Sequence, residues 1–90
     1  MKPDLNNAPF DEQLAAVQQE AWAIEFIKNP SHEVQIAAVS QYGYAIKYIE
    51  NPAEEVQLAA VSQNVSAIEW IKNPSDVVRV QAALCAIYTP

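Results

Sequence analysis

A tandem repeat of 22 residues constrains this chain more than any other feature. The dipeptide Asn-Pro recurs at that interval, at 29–30, 51–52 and 73–74. Residues 53–74 are identical to residues 31–52 at 13 of 22 positions and to residues 9–30 at 13. A unit this short cannot bury its apolar face alone, so successive copies must stack. The predicted organisation is a loosely held polar lead-in (1–8) and one repeat domain (9–90) with units 9–30, 31–52, 53–74 and a partial copy, 75–90.

Each copy is predicted to form two helices, because Ala, Gln and Glu are common and no period-two alternation indicates a strand. Asn suits the N-cap of helix A and Pro its first position, which places helix A at about 9–19, 30–41, 52–63 and 74–87. Helix B is shorter, at 22–28, 44–50 and 66–72, and depends on packing for stability. The fold class is therefore all-α: a short α-solenoid of three two-helix repeats plus a closing C-terminal helix.

The third copy, which reads NPAEEVQLAAVSQNVSAIEWI from Asn51, resembles tandem repeats of the form NPxEEVQLAAVxQNxxAIxxI in many bacterial and phage proteins, a domain of unknown function. It is also distantly similar to leucine-rich-repeat variants. The resemblance covers residues 9–84. It implies a helical-repeat fold and a bacterial or phage origin, and it transfers no catalytic or ligand residues.

Composition limits the partners of the chain. The net charge of −6 argues against direct binding of nucleic acid or of an anionic membrane. No apolar run approaches the roughly 18 residues that cross a membrane, and the start has no basic region followed by an apolar one. The single cysteine, Cys85, cannot form an internal disulfide. These features predict a cytoplasmic protein, and the resemblance implies that the cell is a bacterium or a phage-infected host.

The aromatic edge is the first candidate partner-binding surface. It consists of Trp22, Tyr42, Tyr44 and Tyr48. Copies differ most at the turn between helices A and B, and variation along one edge of a repeat array is typical of a binding edge. Tyr and Trp are also favoured as interface anchors. The alternative is that these rings fill the core.

The acidic edge is the second candidate. It consists of Glu33, Glu54, Glu55 and Asp76, which lie in the first turns of successive A helices. Favourable interaction with the helix dipole explains such acids without any partner. As a binding surface, this edge would suit a partner with a basic groove.

Alternating charges occupy two further repeat positions, with Glu25, Lys47 and Glu69 at one and Lys28, Glu50 and Lys72 at the other. We expect solvent-exposed ladders in which neighbouring repeats pair opposite charges.

The last helix is predicted to pair two copies of the chain. Its apolar residues outnumber its polar ones, and an exposed apolar patch usually marks an interface. The predicted dimer residues are Val77, Val80, Leu84, Ile87 and Tyr88. The alternative is that this helix buries itself against the domain.

Catalytic and metal-binding patterns are missing from the sequence. His32 is the only histidine, and one histidine among scattered acids does not form a metal site, which needs several converging ligands. We therefore expect no enzymatic activity, no metal and no cofactor. The leading hypothesis is a protein-binding module, as an adaptor or small inhibitor. The second is a phage inhibitor, such as an anti-CRISPR protein, whose acidic edge mimics nucleic acid; the third is a self-assembling structural repeat.

Overall fold

A computed structural model of the chain describes residues 5–88, except for the side chains of Asn6 and Tyr88. This part of the chain is all helical and contains no strand, which confirms the predicted fold class at that level. The α-helices are α1 (Phe10–Gln19), α2 (His32–Gln41), α3 (Glu54–Gln63) and α4 (Asp76–Tyr88). The 3-10 helices are η1 (Leu5–Asn7), η2 (Ala21–Phe26), η3 (Gly43–Tyr48) and η4 (Val65–Trp70).

The predicted N-caps are wrong by two residues. The helices after the Asn-Pro dipeptides begin two positions later than expected, so the N-cap residues are Ser31, Ala53 and Ser75. The Ser31 hydroxyl accepts from the Val34 N–H at 3.3 Å, as a capping oxygen does.

The Asn-Pro dipeptide forms a connecting turn instead. Asn51 has φ = 49°, in the left-handed region that Asn enters more readily than most residues. The Pro52 carbonyl accepts a hydrogen bond from Gln57 Nε2 at 2.9 Å. Gln35 makes the same contact with the Pro30 carbonyl, also at 2.9 Å. A glutamine in the first turn of the next helix thus holds each of these two turns.

The B segments are 3-10 helices rather than α-helices, and they are shorter than expected. Each ends with a bond to the residue three positions back, as between Ile27 N–H and the Ile24 carbonyl. Side chains three apart eclipse in this geometry, so Ala21, Ile24 and Ile27 form one line, and all three are buried. A six-residue 3-10 helix is long for its kind; burial of this line holds it in place.

The α-helices pack in chain order as a row, with α2 between α1 and α3, and α3 between α2 and α4. Each of η2, η3 and η4 lies against the α-helix before it and the one after it. The fully buried core residues recur with the repeat. They include Val34, Val56 and Val78 at one position and Val17, Val39 and Val61 at another. Identical positions in successive copies therefore build one continuous core.

Leu5 closes the core beside α1. It is buried, and its carbonyl accepts from Gln13 Nε2 at 2.7 Å. The expectation of a loosely held lead-in is therefore wrong for this residue. Burial of the Leu5 side chain, which removes apolar surface from water, explains the difference.

Candidate protein-binding surfaces

The structure brings the first turns of neighbouring α-helices together at the acidic edge. All four predicted acids are exposed. His32, in the first turn of α2, reaches across to α3, where its Nε2 lies 3.2 Å from Glu55 Oε2. The acidic edge therefore carries one imidazole, and both partners of this contact are largely in solvent. An exposed contact of this type adds little stability.

The aromatic edge is divided into two parts by the fold. Tyr42 and Tyr44 contact each other edge to face, with ring centroids 5.7 Å apart, at the start of η3. Trp22, one repeat earlier, holds the position equivalent to Tyr44 and is 51% exposed. Tyr42 is 40% exposed. These rings do not fill the core. Tyr48 lies at the far end of η3 and packs half-buried against the core.

Lys47 joins Tyr48 to Trp70, a residue that the sequence did not single out. The Lys47 ammonium lies 5.1 Å from the Tyr48 ring centroid and 5.4 Å from that of Trp70, within the range of a cation–π contact. Among the described side chains, no ion pair joins Lys47 to Glu25 or Glu69, although all three are exposed. The ladder predicted at this position is therefore replaced by stacking of a cation on two rings.

A groove runs along the Asn-Pro turns, at the opposite end of the 3-10 helices from Tyr42 and Tyr44. We call it the Asn-Pro groove. It has two adjoining parts, which share Ile49, Glu50 and Asn51. The larger part, of about 620 Å³, is also lined by Lys47, Pro52, Gln57, Trp70, Ile71, Lys72 and Asn73. The smaller part, of about 210 Å³, is also lined by Lys28, Asn29, Pro30 and Gln35.

One polar atom of the groove lining lacks a hydrogen-bond partner. Gln57 donates its Nε2 to the Pro52 carbonyl, but its Oε1 is buried without a donor. A buried acceptor of this kind costs about 1–3 kcal/mol while it stays unpaired.

The outer face of α4 carries an apolar stripe that no other described element covers. The stripe consists of Val77, Val80, Leu84 and Ile87, which are 54%, 57%, 44% and 72% exposed. Their spacing of three, four and three residues places them on one side of the helix. Val78 and Ala82, on the other side, are buried. The predicted alternative, in which this helix buries its whole apolar surface, is therefore wrong. Tyr88 ends α4, and its side chain lies outside the described part of the chain.

Within residues 5–88, no three His, Cys, Asp or Glu side chains are grouped so that they could hold a metal ion. The helices of the same part of the chain are too short or too polar to cross a membrane.

The Asn-Pro groove is the surface that sequence reasoning missed. The alternating charges at positions 28, 50 and 72 predict a solvated ladder rather than a groove. The available signal was the recurrence of Asn and Pro next to these charged positions in every copy. With the copies packed in a row, that recurrence aligns the turns along one edge.

Comparison with protein-family models, with curated proteins and with solved structures gives no match. The function of the chain is therefore inferred from its own surfaces.

Proposed function

We propose that this chain is a non-enzymatic protein-binding module, an adaptor or small inhibitor, that acts in the cytoplasm as a short α-solenoid of three two-helix repeats plus a closing helix. Elements that alternate along the chain and pack in chain order support the proposal of a solenoid.

The exposure of large aromatic side chains at the turns carries the functional proposal. Trp22 and Tyr42 leave 51% and 40% of their surface in solvent. Aromatic rings that a partner buries contribute most of the binding energy in many interfaces. The edge-to-face contact between Tyr42 and Tyr44 fixes two of these rings before a partner arrives, which lowers the entropy that binding costs.

The test uses the full-length chain as bait in bacterial lysate, with and without nuclease, and identifies retained proteins by mass spectrometry. The Kd of a purified partner is then measured for the original chain, Trp22→Ala and Tyr44→Ala. We expect each variant to bind at least 10-fold more weakly, with little dependence on salt. Ser40→Ala, an exposed polar change on α2, is the control. Equal binding by Trp22→Ala and Ser40→Ala would overturn the assignment of the aromatic edge.

The second candidate function is inhibition by nucleic-acid mimicry, and the exposure of all four acids of the acidic edge favours it. Here a phage protein, such as an anti-CRISPR protein, presents these acids to the basic groove of a bacterial nucleic-acid-binding defence complex. Reversal of Glu33 and Glu54 to Lys is then expected to abolish binding, and salt is expected to weaken it, because screening acts on exposed charges. Salt-independent binding that survives these reversals would exclude this function.

We further propose that two copies of the chain pair through the apolar stripe of α4. The spacing of the stripe is that of the a and d positions of paired helices. It carries no charge, so a second copy of the same face is complementary to it. A helix of this length buries less area than a standard interface, and we therefore expect a dissociation constant in the micromolar range. Light scattering behind size exclusion measures the mass; a monomer at 200 µM would contradict pairing.

A further inference from the structure

The Asn-Pro groove concentrates positive charge in an acidic protein. Lys28, Lys47 and Lys72 line it, whereas Glu50 is the one acid among the described residues that does so. The groove thus has a formal charge of +2 in a chain whose total is −6. A ligand of this groove is expected to be anionic, because local charge complementarity directs association.

A row of exposed amides gives the groove a second property. Asn29, Asn51 and Asn73 line it one repeat apart, and all three are exposed. Each amide side chain offers both donors and an acceptor, which is the complement of a peptide main chain.

Apolar surface lies between the polar groups. Trp70, which is 49% exposed, supplies most of it in the larger part of the groove, which Ile49 and Ile71 also line at 7% exposure each. The contact with Lys47 restrains the Trp70 ring. Such a ring offers a platform for an aliphatic or aromatic ligand side chain at small entropic cost.

We infer that the Asn-Pro groove binds an extended, acidic peptide segment of a partner protein. This inference rests on the proposed protein-binding function and names the partner chemistry at a site distinct from Trp22 and Tyr44. Lys47 and Lys72 contact the carboxylates of the segment, the asparagine amides contact its main chain, and Trp70 contacts an apolar side chain between the acids.

The dimensions of the groove set the length of the segment. Packed helices lie about 8–10 Å apart, so Asn29 and Asn73, two repeats apart, are separated by roughly 16–20 Å. An extended chain advances about 3.3 Å per residue. A segment of about five or six residues therefore spans the row of amides.

Single-stranded nucleic acid also carries negative charge and has bases that could stack on Trp70. A polyphosphate backbone, however, meets a protein of net charge −6 whose acids are exposed on the first turns of the α-helices. Nucleic-acid binders need a charge excess of the opposite sign. The observations thus favour a short acidic peptide, whose charge is confined to the groove.

The test selects ligands from a random library of 12-residue peptides on the immobilised full-length chain. Enriched peptides are synthesised, and their Kd is measured by fluorescence anisotropy. We expect enrichment in Asp and Glu with an apolar residue between them. Lys72→Glu is expected to weaken binding at least 10-fold, because it reverses a charge that lines the groove.

Arg79→Glu is the matched control, since Arg79 is exposed and lies outside the groove lining, and the change alters the net charge equally. It is expected to change the Kd less than threefold. Lys47→Ala, which removes the cation between Tyr48 and Trp70, gives a second groove variant, and circular dichroism checks that each variant is folded.

Four results would overturn the inference. They are no enriched peptide, enrichment of neutral or basic peptides, equal weakening by Lys72→Glu and Arg79→Glu, and tighter binding of the oligonucleotide (dT)12 than of any selected peptide. Trp22→Ala separates this site from the aromatic edge. Loss of peptide binding in Trp22→Ala alone would assign the peptides to the aromatic edge, and the protein-binding function would stand without the groove.

Discussion

Helices α3 and α4 occupy equivalent places in consecutive copies, yet their outer faces differ in character. Both bury the same inner residues, Val56 and Ala60 in one and Val78 and Ala82 in the other. The outer faces differ at two positions: Glu55 corresponds to Val77 and Ser62 to Leu84, and all four are exposed. At the other two stripe positions the third copy is already apolar, with half-buried Leu58 in the place of Val80 and half-buried Val65 in that of Ile87.

The difference at Val77 and Leu84 goes beyond an uncovered flank of the last repeat. If α4 differed from α3 only by lacking a following helix, these two positions would keep the polar residues found in α3. Instead they are apolar where solvent is the only described neighbour, whereas Val80 and Ile87 keep the apolar character of Leu58 and Val65. The inner face thus serves the stacking of repeats, and the outer face of α4 is suited to contact with another molecule.

The largest expected change in the free energy of unfolding concerns the start of η3 and η4, where one copy has Gly43 and the next has Val65. A Cβ built on Gly43 would lie 2.6 Å from the Ala60 carbonyl oxygen of α3. The third copy carries half-buried Val65 at this position, beside α4. We expect Gly43→Val to destabilise the chain by about 3 kcal/mol, because the backbone of α3 must move and the bond from Gly43 N–H to Gln63 Oε1 is disturbed. Urea unfolding gives the free energy.

Val65→Gly is the reciprocal control. It is expected to cost only about 1 kcal/mol, through added freedom of the unfolded chain and lost packing. A cost below 0.5 kcal/mol for Gly43→Val would mean that the Ala60 carbonyl of α3 does not lie close enough to residue 43 in solution to exclude a side chain.

The next largest effect concerns the outer face of α4. Leu84→Asp places a carboxylate in the stripe, and the proposed dimer would have to bury it, so we expect its dissociation constant to rise at least 100-fold. Analytical ultracentrifugation over a concentration series measures this shift. Ser40→Asp makes an acidic change at the equivalent exposed position of α2 and should leave association unchanged. An equal shift in both variants would point to net charge rather than to the stripe.

Much of this fold can be predicted from the sequence, because each copy of the repeat shows the same pattern of helix-forming and apolar residues. The period, the buried valines and the all-helical class follow from recurring identities. The start of each helix does not. Asn-Pro fits both a helix N-cap and a connecting turn. After Pro30 and Pro52, a glutamine five residues on donates its amide to the proline carbonyl of the turn, whereas Arg79 stands at that place after Pro74 and α4 begins at the same offset. The sequence alone does not indicate that contact.

The candidate surfaces were predicted less completely for a related reason. The exposure of the α4 stripe and of Trp22 follows from the residues that change between copies. The Asn-Pro groove consists mainly of residues that recur in each copy. A comparison of the copies interprets recurring residues as ones that maintain the repeat fold, so it does not indicate a binding surface there. Lys47 also shows the limit of charge patterns. Opposite charges in neighbouring copies predict ion pairs, whereas the contacts found for the Lys47 ammonium are with the rings of Tyr48 and Trp70.

A smaller change in the free energy of unfolding is expected from substitutions on the inner faces of α3 and α4, and comparing the two tests whether these faces are equivalent. Val56 and Val78 are both fully buried, so Val→Ala at either position is expected to cost about 2 kcal/mol through lost burial and a residual cavity. We expect the two values, measured by urea unfolding, to agree within about 0.5 kcal/mol. Val80→Ala, on the exposed face, is the control, with a change within about 0.5 kcal/mol. A much lower cost at Val78 would show that α4 is held less firmly than α3.

The smallest expected change in stability concerns the first turns of α3 and α4, which carry Glu55 and Val77 at equivalent positions. Glu55→Gln removes the charge facing His32, and because both side chains are largely in solvent, we expect a loss below about 0.5 kcal/mol. Glu54→Gln makes the same charge change next to it and is the matched control. A double-mutant cycle of Glu55→Gln with His32→Gln isolates the coupling. A coupling above about 1 kcal/mol would show that the contact between His32 and Glu55 holds α2 against α3. The fourth copy argues against such a role, because Val77 stands there in place of Glu55.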